Sequence, residues 1–168
     1  MIERILAVVD GHPLTLTEVR LLQRVRGVER EKALEALIDE WLMFREATRL
    51  LPDALTPEEE EAALLSLRER VGPLPGVDEG ELRAFARREA VILKYAQSRF
   101  LPQVRVEDDE VKRAYEAGPG SQQGAPGLAE AAPTIRRQLT DQKLGERIEG
   151  WVRELRAPAA IRYNRAPS

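Results

Sequence analysis

The sequence predicts a mainly α-helical protein of one domain, with about six helices and a small β-sheet formed by an N-terminal hairpin and a C-terminal strand. Three observations favour this fold class. The chain has 168 residues, enough for one domain, and 33% of them are charged. Aromatic residues make up only 5%, which favours long solvated helices over an all-β sandwich. Strand-like segments are short and lie near the two ends of the chain, at 5–9 and 160–163, with one further short extended piece at 104–106.

The first fifteen residues predict a β-hairpin. Ile5–Val9 is a short apolar run, and Asp10-Gly11 directly after it is a strong signal for a tight turn. The return strand at 12–14 contains Pro13, which is tolerated at the edge of a sheet but not in its centre. We therefore expect a hairpin whose second strand lies at an edge.

Helices are predicted from their start and stop signals. Thr15 with Glu18, and Thr56 with Glu59, have the spacing of a capping box, in which the Thr and Glu side chains bond each other's backbone N–H groups. Gly and Pro residues end the helical segments. The predicted helices cover about residues 16–26, 29–51, 57–71 and 79–100, a short helix that opens with the acidic run 107–110, and a last helix over about 133–156. Ala160–Tyr163 predicts a final strand.

A stretch rich in Gly, Pro, Ser and Gln precedes the last helix. From Gly118 to Gly127, nine of the ten residues are of these four types, a composition typical of a flexible linker. We expect the linker to cover residues 118–133. The chain would then form a single discontinuous domain, 1–117 plus 134–164, from which the linker loops out.

The sequence contains no set of residues that predicts an active site. It has no cysteine and one histidine, His12, so thiolate zinc sites, cysteine nucleophiles and histidine-rich metal sites are excluded. His12 itself is expected to be an exposed turn residue. There is no phosphate-binding glycine motif and no apolar run of membrane-spanning length. A net charge of -3 argues against a protein that coats nucleic acid. We expect no enzyme, no cofactor and no bound metal.

One acidic residue lies on an apolar helix face. On the fourth predicted helix, Glu89 falls in the middle of the apolar side. A carboxylate at such a position needs a partner, because burying an unpaired charge is unfavourable. We expect Glu89 to be a structural, buried carboxylate that pairs with an arginine or caps a backbone amide.

Several stretches, taken in order, resemble the SurA-type periplasmic chaperones and related parvulin-linked foldases. In that family a short strand, an Asn/Asp-Gly turn and a Thr/Ser-x-x-Glu cap lead into the first helix. The similar stretches are Ile5–Val19, Ala33–Leu42, Arg88–Phe100 with 104–106 and 111–115, and Ile135–Leu139 with 151–155 and 161–163. Together they cover well over half of the chain. The resemblance implies a helical chaperone body that a C-terminal helix and strand complete.

The parvulin isomerase domain of that family has no counterpart in this chain. In full members, one or two such domains lie before the last helix, whereas here the interval is the 16-residue stretch Gly118–Pro133. A domain needs roughly 50 residues or more, so no isomerase fits and no isomerase residues carry over. The short linker is either natural or an engineered deletion.

The resemblance implies an ATP-independent chaperone, or holdase, that binds unfolded or outer-membrane-bound polypeptides without isomerase activity. Methionine and aromatic side chains suit such a surface because they adapt to varied partners. The candidates are Met43 and Phe44, which lie off the apolar face of the second helix, and, more weakly, Leu65, Leu67 and Tyr95. For each of them, burial against another helix is the competing interpretation.

Two alternatives stay open. A helical structural or assembly module that dimerises or docks one specific protein partner fits the same sequence, including a homodimer that exchanges the C-terminal helix. The resemblance implies the periplasm, with an export signal already removed, and the cytoplasm is the alternative because no signal segment is visible. We expect neither a nucleic acid partner nor membrane insertion.

Overall fold

The computed structural model describes residues 3–164, which contain three strands and six α-helices. The strands are β1 (Ile5–Val9), β2 (His12–Thr15) and β3 (Ile161–Tyr163). The helices are α1 (Leu16–Arg26), α2 (Arg30–Leu50), α3 (Pro57–Val71), α4 (Glu79–Phe100), α5 (Asp108–Ala117) and α6 (Leu128–Arg156). Single turns of 3-10 helix occur at Leu101–Gln103 and Pro119–Ser121. The predicted fold class is confirmed.

The described residues form two compact units. Those up to Tyr95, together with those from Val152 onward, make up the first unit, and Ala96–Trp151 make up the second. Both α4 and α6 contribute residues to each unit. The single discontinuous chaperone domain with a flexible linker stays a prediction.

Local signals fix the boundaries of the N-terminal elements. Asp10 and Gly11 have φ angles of 48° and 85°, the positive values that a type I′ hairpin turn needs. The first capping box forms, because Thr15 accepts from the N–H of Glu18 at 3.3 Å and donates its own N–H to the Glu18 carboxylate at 2.9 Å. Gly27 ends α1 in the left-handed conformation.

The last helix begins earlier than the sequence predicts. α6 starts at Leu128, so Pro133 lies inside the helix and not at its first position. The proline removes one backbone donor in the second turn. Residues 128–132 are Leu, Ala, Glu, Ala and Ala, all strong helix formers, and the Gly127 carbonyl accepts from Ala131 at 3.0 Å. The last six residues of the expected linker are therefore helical.

The C-terminal strand completes the sheet of the N-terminal hairpin. The strand order is β2-β1-β3, and β1 pairs antiparallel with both neighbours. Two bonds flank the β1–β3 ladder: Asp10 donates its N–H to the Ala160 carbonyl at 2.9 Å, and Asn164 donates to the Leu6 carbonyl at 2.8 Å. This pairing gives the isolated hairpin the third strand that a stable sheet needs.

The core of the first unit collects side chains from the sheet and four helices. Fully buried members are Leu14 of β2, Leu22 of α1, Leu37 of α2, Leu64 of α3 and Phe85 of α4. Leu155 of α6 and Ile161 of β3 pack against the same cluster. The C-terminal residues therefore contribute to this core as well as to the sheet.

The second unit has a smaller core. Val111 of α5 and Ile135 of α6 are buried, and the rings of Phe100 and Trp151 pack with their centroids 5.5 Å apart. In the described part of the chain, no helix is long and apolar enough to cross a membrane.

A buried carboxylate that the sequence analysis misses lies among the helices of the first unit. Glu40 of α2 is 3% exposed. It accepts hydrogen bonds from Arg88 of α4, at 3.1 Å, and from Arg26 of α1. Burial raises the pKa of Glu40, although the two arginines act in the opposite direction. The arginine bonds thus offset part of the free energy needed to keep this charge away from water.

Glu89 is half-buried, which corrects the expectation of a buried carboxylate. The side chain of Glu89 is 25% exposed, whereas the side chain of Glu40 is 4% exposed. Glu89 pairs with Arg70 of α3 at 2.6 Å and lies 3.8 Å from Arg26. Because both arginines are themselves well exposed, Glu89 lies where the apolar face of α4 meets solvent. Glu40 and Glu89 together link α1, α2, α3 and α4.

We expect Glu40→Ala to lower the free energy of unfolding by about 3 kcal/mol, because it leaves Arg88, which is only 11% exposed, without a carboxylate partner. The control is Glu61→Ala, which removes the exposed pair with Arg83 and should cost less than about 1 kcal/mol. Urea unfolding followed by circular dichroism measures both values. Equal losses in the two variants would contradict a special role for the buried carboxylate.

His12 is not the exposed turn residue that the sequence predicts. Its ring stacks on the indole of Trp41, with centroids 3.5 Å apart and an angle of 14° between the planes. Trp41 comes from α2, so no local signal around the hairpin reveals the contact. Burial lowers the pKa of His12, Glu18 acts to raise it, and Arg88 acts to lower it further. The folded protein therefore favours the neutral imidazole.

This shift has a consequence for stability. Because the pKa of His12 is lower in the folded state than its ordinary value of 6.5, protonation favours the unfolded chain. The contribution of His12 to the free energy of unfolding is therefore present above pH 6.5 and is lost as the pH falls below that value. We expect wild type to lose stability relative to His12→Phe, which keeps the ring stack, as the pH falls from about 7.5 to about 5.5. Urea unfolding across this range measures the difference, and parallel pH profiles would refute the assignment.

Candidate functional site

The five residues proposed from the sequence for peptide binding do not share one exposed surface. Leu65 is 51% exposed and Phe44 is half-buried. Met43, Leu67 and Tyr95 are buried, with exposed fractions of 9%, 2% and 9%. Three of the five therefore lie within the protein interior and do not line an open surface in this structure.

The burial of these residues has a physical reason. A larger part of the circumference of α2 is buried than the spacing of its leucines indicates. Met43 is therefore buried beside Leu42 and does not point away from the core. On α3, Leu67 is three residues from the buried Leu64 and shares its face, whereas Leu65 points elsewhere. The sequence pattern identifies apolar residues but not how many neighbours each helix has.

Phe44 is shielded by a charged pair. The guanidinium carbon of Arg87 lies 5.7 Å from the centre of the Phe44 ring, within range of a cation–π contact. Arg87 in turn donates to Glu60 at 2.8 Å. An apolar ligand would have to displace Arg87 to reach the ring face that this contact covers.

An open groove with a volume of about 1120 Å³ lies between α2 and the C-terminal strand. Its apolar lining includes Leu6 of β1 and Leu34 and Ala36 of α2, and Tyr163 and Asn164 contribute from the end of the sheet. Charged residues of α2 surround this lining. The groove escapes sequence analysis because its walls combine α2 with residues near the two ends of the chain.

Arg156 fixes the position of the C-terminal residues beside this groove. Its guanidinium donates to Asp39 at 2.5 Å and to Glu35 at 2.8 Å. Burial acts to lower the pKa of Arg156, but its bonds to Asp39 and Glu35 outweigh burial and raise it. Tyr163 adds a third bond, from its hydroxyl to Glu35 at 2.7 Å. Burial and this bond raise the pKa of Tyr163.

A second anchor holds the start of β3. The Asp10 carboxylate accepts from the backbone N–H of Ala160 at 2.7 Å and pairs with Arg45 of α2 at 2.7 Å. The bond from Ala160, followed by that from Arg45, lowers the pKa of Asp10. Asp10 therefore acts both in the hairpin turn and in holding the C-terminal strand, and only the first role is visible in the sequence.

The groove has the chemistry of a binding surface. Three acids line its wall, and two of them, Glu35 and Asp39, accept hydrogen bonds from Arg156. Among residues 3–164, no group of three or more His, Asp or Glu side chains is arranged to hold a metal ion. An open apolar floor with charged flanks is suited to a polypeptide segment.

The fold can be compared with known proteins. No protein-family model and no curated protein matches this chain. Among solved structures, the chain is similar to one described for the virulence factor PEB4 and the periplasmic protein Cj1289, two SurA-like chaperones of Campylobacter jejuni. The TM-score is 0.62, and the match covers 96% of this chain and 99% of that chain at 12% identity.

The chain has a SurA-like fold. The similarity is one of backbone architecture, since few residues are shared at 12% identity. The family resemblance of the sequence and the comparison of structures agree on this fold, and they do so from separate observations.

We expect Arg156→Met to lower the free energy of unfolding by about 1–2 kcal/mol, because charged hydrogen bonds to Asp39 and Glu35 are lost at a partly exposed site. Amide hydrogen exchange at Arg162 and Asn164, whose N–H groups are directed to β1, should become faster. Arg153→Met, an exposed position on the same helix, is the matched control. If the amides of Arg162 and Asn164 exchange equally slowly in both variants, Arg156 is not the anchor of β3.

Proposed function

We propose that this chain is an ATP-independent chaperone, a holdase, that binds unfolded or outer-membrane-bound polypeptides and has no isomerase activity. The observation that carries the proposal is the SurA-like fold, which matches 96% of this chain and 99% of the similar structure. The open groove between α2 and the C-terminal strand supports it. Because that similar structure is described in connection with a periplasmic protein, we propose the periplasm as the compartment.

The surface of the first unit has the properties that a holdase needs. Leu50, Leu65 and Leu93 are each about half exposed, while a third of all residues are charged and keep the protein soluble. A client loses chain entropy when it binds, so the affinity at each site is modest. Modest affinity also allows release without a nucleotide-driven step.

Phe44 and Leu65 are the proposed client contacts among the sequence candidates, since both retain exposed surface. Met43, Leu67 and Tyr95 would contact a client only if the helices of the first unit separated. For these three, a substitution tests stability before it tests binding.

We expect the wild-type chain to suppress aggregation of several unrelated unfolded proteins at near-equimolar ratios, measured by light scattering. Phe44→Ser and Leu65→Ser should each weaken the binding of a labelled unfolded client about two- to fivefold, with helicity retained. Leu128→Ser, which removes an exposed leucine from the second unit, is the control and should bind as wild type does. A protein that suppresses no aggregation would contradict the proposed function.

The same experiments separate the alternative function. A structural or assembly module would bind one protein partner and leave unrelated unfolded clients to aggregate. A homodimer that exchanges the C-terminal helix would form the β1–β3 pairing between two chains, and sedimentation would show twice the chain mass. A proline-isomerisation assay with a tetrapeptide should show no rate above the uncatalysed one.

A further inference from the structure

The sheet has one edge with unpaired backbone groups. β3 lies at an edge, and its bonds to β1 involve Ala160, Arg162 and Asn164. In an antiparallel ladder, alternate residues direct their backbone groups to opposite sides. Ile161 and Tyr163 therefore direct two N–H groups and two carbonyls away from β1. No residue between 3 and 164 bonds to these four groups.

The two edges of the sheet differ. β2, at the other edge, contains Pro13, which has no N–H to offer to an added strand. β3 contains no proline, and its pairing with β1 shows no bulge. Proline and bulges are devices that prevent unwanted pairing at an edge. Proline protects the edge at β2, whereas the edge at β3 is limited by its short length and by the charge of Arg162.

The side chains of β3 divide between the two faces of the sheet. Ile161 and Tyr163 lie opposite Val9 and Ala7, both 0% exposed, and thus face the core side. Arg162 lies opposite Val8 and points to the other face. The Tyr163 side chain also lines the groove along α2.

Arg162 is a free positive charge at this edge. Its side chain is exposed, and it forms no ion pair with any residue that the structure describes. An acidic residue directly across from it on an added strand would form a favourable cross-strand pair, and a basic residue would be repelled.

We propose that the free edge of β3 binds an extended segment of a client polypeptide as a fourth strand, with an acidic residue of the segment opposite Arg162 and apolar residues on either side of it. Because strand residues alternate, those two apolar side chains face the same side as Ile161 and Tyr163, beside the groove of α2. The inference rests on the proposed function and identifies one client site and the chemistry that it selects.

A second copy of this chain fits the edge less well than a client segment does. Two β3 strands that pair antiparallel about a symmetry axis at Arg162 would place the two guanidinium groups opposite each other. Like charges directly across a strand pair are destabilising. The charge of the edge therefore favours a partner with an acidic residue at this position.

The test uses two labelled peptides and the full chain. One has a central Val-Asp-Val flanked by Ser and Thr, and the other has Val-Lys-Val in the same frame. Fluorescence anisotropy should show that the Asp peptide binds at least about threefold more tightly than the Lys peptide. Hydrogen exchange should show that the amides of Ile161 and Tyr163 become protected when the Asp peptide is bound.

A charge exchange provides the decisive comparison. Arg162→Glu should reverse the preference, so that the Lys peptide binds more tightly than the Asp peptide, because the backbone edge is unchanged. Arg20→Glu, at an exposed position on α1 without an ion pair among the described residues, is the matched control and should keep the wild-type preference. Ile161→Pro removes one outward N–H and should weaken both peptides.

Three results would overturn the inference. These are an equal affinity for both peptides, a preference that Arg162→Glu leaves unchanged, and exchange protection at Ile161 and Tyr163 that rises with protein concentration in the absence of peptide. The last result would assign the edge to a second copy. If Arg162→Glu lacks the helicity of wild type, the Ile161 and Tyr163 protection measured on the wild-type chain decides alone.

Failure of this inference can be distinguished from failure of the proposed function. A wild-type chain that suppresses aggregation but gives no protection at Ile161 and Tyr163 with the Asp peptide is a holdase that binds clients elsewhere. A chain that binds the Asp peptide at this edge and suppresses no aggregation supports the edge site and refutes the holdase.

Discussion

The pairing of β3 with β1 is the contact on which the rest of the first unit depends. It joins residues about as far apart in sequence as the chain permits, since Ala160 and Asp10 are separated by 150 positions. Closing so large a loop is entropically unfavourable, although the cost grows slowly with length. The Asp10 and Arg156 bonds and the packing of Ile161 offset that cost. Without β3, the hairpin would be barely stable, and the groove along α2 would lose its Tyr163 wall.

The four N-terminal helices depend on a second, ionic constraint. Arg26, Glu40, Arg70, Arg88 and Glu89 come from four different helices and meet in one network. Burying Glu40 is unfavourable, as its raised pKa indicates, so the network is not simply a source of stability. A leucine at the same place would tolerate several helix arrangements. A carboxylate that needs two arginines favours the one arrangement in which both can reach it.

Structural features that depend on neighbouring residues can be predicted from the sequence, whereas features that depend on residues distant in the chain cannot. The turn at Asp10-Gly11 and both capping boxes depend on neighbours within three positions, and all are confirmed. The stacking of His12 on Trp41 and the burial of Met43 depend on which helix covers which face. The groove was invisible for the same reason. The start of α6 shows a different limit, because the helix-forming residues before Pro133 outweighed the proline signal.

An edge that binds through its backbone is compatible with the low identity between this chain and the similar structure. At 12% identity, a pocket built from particular side chains would seldom be retained, whereas a strand edge depends on the backbone architecture that is retained. Main-chain N–H and carbonyl groups are present in every polypeptide, so pairing through them accepts many client sequences. The charge of Arg162 then adds a preference without imposing a strict motif. Because β3 has only three residues, the bonds that it offers are few, and binding of this kind is weak enough to be reversed without an energy source.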